Sequence, residues 1–507
     1  VRRFNPGGLL LLFLAANLPL LALFFKTAHL SSRSFQIFCL CEGLLGALVA
    51  AVFPRMRFVL AGFAIAALPR LPSLALQAPL PNVLFPLFYG LAAGHALRMF
   101  RQRKSSQDIR RGLILVWIIA LAVFASCIRA VLVYYPEFPS EFALNDSIIA
   151  GHVSANFAMH LSLDLGLALL GPLCWIIAEL LPGLAGEPSA ARPERAFSIC
   201  AGIAIGFAIG LIVLFLQGPV DALRAGVTDH GFEAGRRPGL LSDTGASNVL
   251  FPALCAISSL SILSFRFKTG APGSGQISVY RTAALTAVLV TVTAVFQGKA
   301  VFLSILGIAL VWRWMILPSM RWPLGWTLAG SAVAALVAAG AIHLRAPAIQ
   351  ERLFAAEFSF HAVLAAFDPV RAMLFDAFLA IFQQSPWTGY ALNGFIPRLM
   401  LLKAERPELY PENPPGLIPG ILTDTGIAGL IFCLAAAAFA AVLLRRVLSN
   451  ASKSAFAMHL RFLIFLPVSL LPVFLVGYHI LFAEISAFCL LPLLFLDSAE
   501  HSHHEQD

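Results

Sequence analysis

A set of ionisable side chains stands inside or at the edge of apolar runs, where charge is costly and marks a functional candidate by default. They are Glu42, Arg70, Arg129, Asp164, Lys299, His479 and Glu484. Single groups of this kind can pair with one another or snorkel to the interface. Their shared depth, in the outer half of the bilayer on the topology derived below, predicts a polar cavity open to the outside. Its mixed, partly basic lining suits an anion such as phosphate or pyrophosphate. A second feature is the polar stretch at 345–425, between the apolar runs Leu324–Leu344 and Gly426–Leu444. It holds Arg371, the turn-like Ser385-Pro386-Trp387-Thr388-Gly389-Tyr390 and the segment Pro411-Glu412-Asn413-Pro414-Pro415. An apolar chain that keeps one large polar excursion is expected to do its chemistry there.

The elements that must position these groups are membrane spans. The chain has 507 residues, 59% of them hydrophobic and 12% charged, and its mean hydropathy is +0.85. A soluble domain carries about 25% charged residues. A helix needs about 20 apolar residues to cross the hydrocarbon, and about fourteen such segments recur here. They lie near 8–25, 34–53, 58–76, 80–97, 113–134, 161–182, 196–217, 246–265, 282–297, 299–317, 324–344, 426–444, 460–478 and 480–496. Continuous apolar runs predict helices rather than the alternating strands of a β-barrel. The expected fold is an all-α polytopic membrane protein of about 12–14 transmembrane helices with one large external loop. Its organisation is 1–344, helices with short loops; 345–425, the large loop; 426–498, the last three helices; and 499–507, a short tail.

Basic residues set the orientation. With the N-terminus in the cytoplasm, Arg55, Arg57, Arg101, Arg103, Lys104, Arg110, Arg111, Arg192, Arg195, Arg266, Lys268, Arg321, Arg445, Arg446 and Lys453 all fall inside, as the positive-inside rule requires. Both termini are then cytoplasmic, and 135–160, 218–245 and 345–425 lie outside. The net charge of +9 is accounted for by these loops and calls for no nucleic acid. The eight cysteines fall within apolar runs without Cys-x-x-Cys spacing, which predicts small packing residues. Asp-Thr-Gly occurs at Asp243-Thr244-Gly245 and at Asp424-Thr425-Gly426. Aspartic proteases carry such turns in β-rich lobes, which this chain lacks; each Asp here precedes an expected helix start, where Asp or Thr caps exposed amides.

Three segments together carry a family likeness. They are Arg236-Arg237-Pro238-Gly239-Leu240 with its continuation to Asn248; Gln297-Gly298-Lys299-Ala300; and Arg371 through Ser385-Pro386-Trp387-Thr388-Gly389, closing with Ile421-Leu422-Thr423-Asp424-Thr425-Gly426-Ile427-Ala428-Gly429-Leu430. In order and spacing they resemble the bacterial O-antigen ligase and O-antigen polymerase superfamily. The likeness covers roughly 236–445. Two departures stand out: Lys299 occupies a place where an Arg is usual, and the usual His-Asn pair is replaced by Pro415-Gly416 or, with a gap, by Glu412-Asn413.

The resemblance implies a GT-C-like membrane glycosyltransferase of the bacterial inner membrane, with 345–425 as a periplasmic loop. The reaction it implies moves a glycan from an undecaprenyl-pyrophosphate carrier to a hydroxyl acceptor: lipid A core, another glycan repeat or a protein. The leaving pyrophosphate needs fixed cations, for which Arg237, Lys299 and Arg371 are the candidates. The acceptor hydroxyl needs a base within reach; Glu412 is the first candidate and His479 the second. Membrane lipids are the other expected partners. No Asp-x-Asp metal pair stands out, and no metal or organic cofactor is expected. Arg237 could instead anchor at the interface and Arg371 could cap a helix. A flippase or transporter of lipid-linked glycan, or an inactive carrier-binding homologue, are the alternative functions.

Overall fold

A computed structural model describes residues 6–27, 33–53, 55–67, 85–101, 111–137, 142–145, 150–153, 155–181, 369–403, 414–450 and 490–495, with short pieces around 195–209 and at 406 and 409. In chain order the elements are α1 (Pro6–Thr27), α2 (Arg33–Val52), α3 (Met56–Ala67), α4 (Phe85–Arg101), α5 (Arg111–Glu137), β1 (Phe142–Asn145), β2 (Ala150–Val153), α6 (Ala155–Leu180), α7 (Pro369–Gln384), α8 (Phe395–Lys403) and α9 (Leu417–Asn450), followed by a 3-10 turn at Leu491–Phe495.

Among the described residues, four helices are long and apolar enough to cross a membrane: Gly7–Lys26, Arg111–Leu132, Ala158–Leu180 and Leu417–Arg445. The chain is a largely helical membrane protein, because in lipid only an internally hydrogen-bonded backbone is tolerated. The expected spans near 8–25, 34–53, 113–134, 161–182 and 426–444 coincide with α1, α2, α5, α6 and the second part of α9. Those between 246 and 344 and between 460 and 478 lie outside the described residues. The described residues are helical almost throughout, as expected, with one short addition. The stretch between α5 and α6 forms an antiparallel hairpin, with Phe142 opposite Val153 and Asn145 opposite Ala150. Backbone groups that leave a helix end here pair with each other across the two strands.

The first half of the chain packs around α4 and α6. Fully buried Trp175, Phe85 and Phe88 form its centre. Phe85 meets Phe24 edge-on at 5.3 Å, and Phe88 meets Trp175 at 5.6 Å. Small residues let α2 and α4 touch backbone to backbone. A Cβ on Gly46 would lie 2.5 Å from the Leu87 carbonyl oxygen, and one on Gly90 would overlap the Gly43 carbonyl. Close approach of this kind is how helices associate where lipid removes the hydrophobic drive between them. Cys39, Cys127, Cys174 and Cys200 are buried free thiols, as expected of packing residues, whereas Cys41 and Cys433 are exposed.

One end of this bundle is closed by a buried ion pair. Arg57 Nε and Nη2 lie 2.7 and 2.8 Å from the two carboxylate oxygens of Glu179. His95 Nδ1 is 3.9 Å from the same carboxylate. Arg57 also stacks over the Phe58 ring at 4.7 Å, and Arg195 approaches that ring at 5.7 Å. Arg57 was expected as a loop charge facing the cytoplasm. It is instead 4% exposed, since the Glu179 carboxylate and the ring replace its water.

Candidate functional site

The site is built from three segments distant in sequence: the end of α5, the turn at 385–394 between α7 and α8, and a break within α9. Two of these, the Ser385–Gly389 turn and the Thr423–Gly426 stretch, were singled out by the sequence. Their relationship is direct. Helix α9 begins at Leu417, not at Gly426, and is interrupted at Gly426 by φ 67° and ψ −167°. This region is open essentially to glycine alone.

A break in a helix orphans carbonyls on one side and amides on the other. The turn satisfies both sets. The N–H groups of Tyr390 and Ala391 donate to the carbonyls of Thr423 and Asp424, each at 2.8 Å. The N–H groups of Ile427 and Ala428 donate to the carbonyls of Pro386 and Trp387, at 2.9 and 3.2 Å. The turn therefore caps the end of the first half-helix and the start of the second. Fit at the crossing demands two glycines with positive φ. A Cβ on Gly389 (φ 59°) would lie 2.5 Å from the Thr423 carbonyl oxygen, and one on Gly426 would overlap the Trp387 backbone.

The capping role expected of Asp424 and Thr425 is corrected by this arrangement. Asp424 Oδ1 accepts from the N–H of Gly394, at the entrance to α8. Thr425 Oγ1 donates back to the Ile421 carbonyl at 2.9 Å. The amides of Ile427 and Ala428, at the start of the second half-helix, are taken by the turn's carbonyls.

The turn is itself strained and braced. Ala391 and Asn393 have φ of 86° and 54°, a backbone state that persists only where surroundings over-determine it. Ser385 Oγ donates to the Gly389 carbonyl at 3.1 Å, and Asn393 Nδ2 donates to the Leu161 carbonyl of α6 at 3.4 Å. Behind the turn, Tyr390 lies under the Arg398 guanidinium at 4.1 Å and donates its hydroxyl to Gln384 Oε1 at 3.1 Å. Leu374, Phe378, Ile381, Phe395 and Leu399 complete a small separate core.

Arg129 joins this unit to the bundle. Its Nη1 donates to the Thr388 carbonyl. Its Nη2 donates to Thr388 Oγ1 at 2.9 Å and to the Gly389 carbonyl at 2.7 Å. All three acceptors are neutral. A guanidinium has five N–H donors, so Nε–H and one Nη1–H remain, and among the described residues no carboxylate pairs with this charge. Arg129 lies within the apolar span Arg111–Leu132, and it is only half-buried. The sequence marked it as a costly intramembrane charge; nothing in the sequence tied it to the turn. Of the other marked charges, Glu42 is buried in α2, and among the described residues its Oε2 has no hydrogen-bond partner. Asp164 is buried in α6, on the same stretch as Leu161.

Of the candidate site residues, Arg371 is the one described. It is half-buried in the first turn of α7. That is the positive end of the helix macrodipole, so its position is not that of a dipole-compensating cation, which belongs at a C-terminus. Gln384, at the other end of α7, is about 20 Å away along the axis. Arg237, Lys299, Glu412 and His479, with Arg70 and Glu484, lie outside the described residues. Among the described residues no three His, Cys, Asp or Glu side chains come together as a metal site.

What the arrangement offers chemically is a half-buried guanidinium with donors to spare among the described residues, held against a braced turn that carries an exposed Thr388 and an exposed Trp387. Compared with known proteins, the chain matches no family model, and no curated protein matches it.

Proposed function

We propose that this protein transfers or polymerises a glycan from an undecaprenyl-pyrophosphate carrier onto a hydroxyl acceptor, at the outer face of a bacterial inner membrane. The observation that carries the reading is Arg129: a guanidinium inside an apolar span, oriented by three neutral acceptors and, among the described residues, with donors to spare and no carboxylate against its charge. Such a group favours an anion that arrives from outside the chain, and the developing charge on a leaving pyrophosphate is an anion of this kind. The site lies where a broken helix meets a strained turn, a setting in which membrane proteins place irregular backbone against a cavity.

The likeness to O-antigen ligases and polymerases supplies the reaction class and the supporting residues. Arg237, Lys299 and Arg371 are the further cations it implies, and Glu412 or His479 the base. Arg371 stands at the end of α7 away from the turn, about 20 Å from Gln384 along the axis. We assign it to a different part of a long substrate, with Arg129 on the pyrophosphate.

The test is complementation of surface polysaccharide in cells lacking the protein, using wild type, Arg129→Gln, Arg371→Ala and Glu412→Gln. Accumulation of lipid-linked single repeats identifies a polymerase; accumulation of long polymer on the carrier identifies a ligase. Repeats that never reach the outer face point to a flippase and overturn the reading. Undiminished polymer in all three variants removes the site assignment.

A further inference from the structure

We propose that Trp387 is a sugar-stacking platform, its indole face receiving the first sugar ring of a glycosyl pyrophosphate whose charged end meets Arg129. The proposal rests on the reading above and names the part of the substrate that this turn recognises.

Trp387 is 67% exposed although it is the largest side chain of the turn, and the next residues but one, Gly389 and Tyr390, are buried. Its backbone is held on both sides. Its carbonyl accepts from Ala428 N–H, and Gly426 approaches so closely that no Cβ fits between. The ring thus projects from a fixed point rather than from a free loop, so little ordering cost attends binding.

The groups beside the ring complete the chemistry. Thr388 follows directly, with an exposed hydroxyl, and both its oxygens accept from Arg129. A pyranose presents an apolar C–H face and a rim of hydroxyls. An aromatic face with a few placed polar groups is the complement of such a ring. Consecutive Cα atoms are about 3.8 Å apart, so Trp387 and the guanidinium-bound Thr388 are immediate neighbours along the turn. In the substrate, a single oxygen separates the sugar ring from the phosphorus. The bond to be broken would lie between the two.

An exposed Trp in a membrane protein can also be an interfacial anchor. An anchor senses depth in the bilayer and is indifferent to whether a bound carrier bears sugar. The two roles are separated by measuring binding of two probes to the purified full-length protein in lipid nanodiscs: bare undecaprenyl pyrophosphate, and the lipid-linked saccharide extracted from cells lacking this protein. Wild type is expected to bind the saccharide-bearing carrier more tightly. Trp387→Leu, which keeps apolar bulk without a flat face, is expected to weaken that probe about tenfold while leaving the bare carrier unchanged, so the bare carrier also controls for folding. Trp387→Phe is expected to retain the preference. If Trp387→Leu weakens both probes alike, or neither, the platform is wrong. Equal binding of both probes by wild type also overturns the platform but leaves the carrier reading standing, whereas binding of neither overturns the carrier reading itself.

Discussion

Arg129 and Thr388, 259 positions apart in the chain, are joined through both the carbonyl and the hydroxyl of the threonine. This one contact ties the end of α5 to the turn that caps the broken helix α9. It gives the guanidinium two functions, bracing the turn and presenting charge, and substitutions separate them.

Arg129→Lys keeps the charge but loses the planar fork. A single ammonium cannot satisfy three acceptors and still offer donors to a ligand. Binding of bare undecaprenyl pyrophosphate is expected to fall about tenfold, with little change in thermal unfolding. Arg129→Gln is expected to lose binding and also lower the unfolding temperature. Equal binding by wild type and both variants would remove Arg129 from the anion site.

Gly426→Ala places a Cβ against the Trp387 backbone, in a φ/ψ region that only glycine occupies readily. The expected cost is about 3 kcal/mol, appearing as local opening of the turn. Hydrogen exchange should rise at the amides of Tyr390, Ala391, Ile427 and Ala428, which exchange their bonds across the break. Unchanged protection at these four amides would mean that the turn and the break are not one unit.

The buried Arg57–Glu179 pair answers differently to single and double changes. Glu179→Leu alone leaves a guanidinium buried without its carboxylate and should cost about 3–5 kcal/mol. Arg57→Leu combined with Glu179→Leu should recover most of that loss, since apolar replacement of both partners is often neutral. The check is the midpoint of unfolding in detergent for the two single variants and the double. Additive losses would contradict the pairing.

Gly90→Leu tests the α2–α4 contact at a distance from the turn. Any side chain at this position overlaps the Gly43 carbonyl, so the two backbones must separate. Lower yield of folded protein and a lower unfolding temperature are expected, with normal carrier binding by whatever protein remains folded. Wild-type stability would show that the helices do not meet as closely as described.

Much of the architecture was legible because the bilayer imposes it. Runs of about 20 apolar residues have few stable outcomes in lipid, and α1, α2, α5 and α6 follow the runs closely. The hairpin at 142–153 was not legible, as its eight paired residues carry no strong alternation and sit in a stretch read as loop. The start of α9 was misplaced for a similar reason. Pro419, Thr423, Asp424 and Thr425 interrupt the apolar pattern there, yet Leu417 to Thr425 is helical and leads directly into the run that follows.

The site divides along the same line. Residue types alone flagged Arg129 as a costly charge and picked out Ser385–Gly389 and Thr423–Gly426 as unusual segments, because cost and turn chemistry are local properties. That the turn caps the break, that Asp424 accepts from Gly394, and that Arg129 holds Thr388 were decided only by the tertiary structure. Hydrogen-bond partners hundreds of positions apart are chosen by which helix ends the packing brings together. A sequence records the donors and acceptors that must be satisfied but not the pairing that satisfies them.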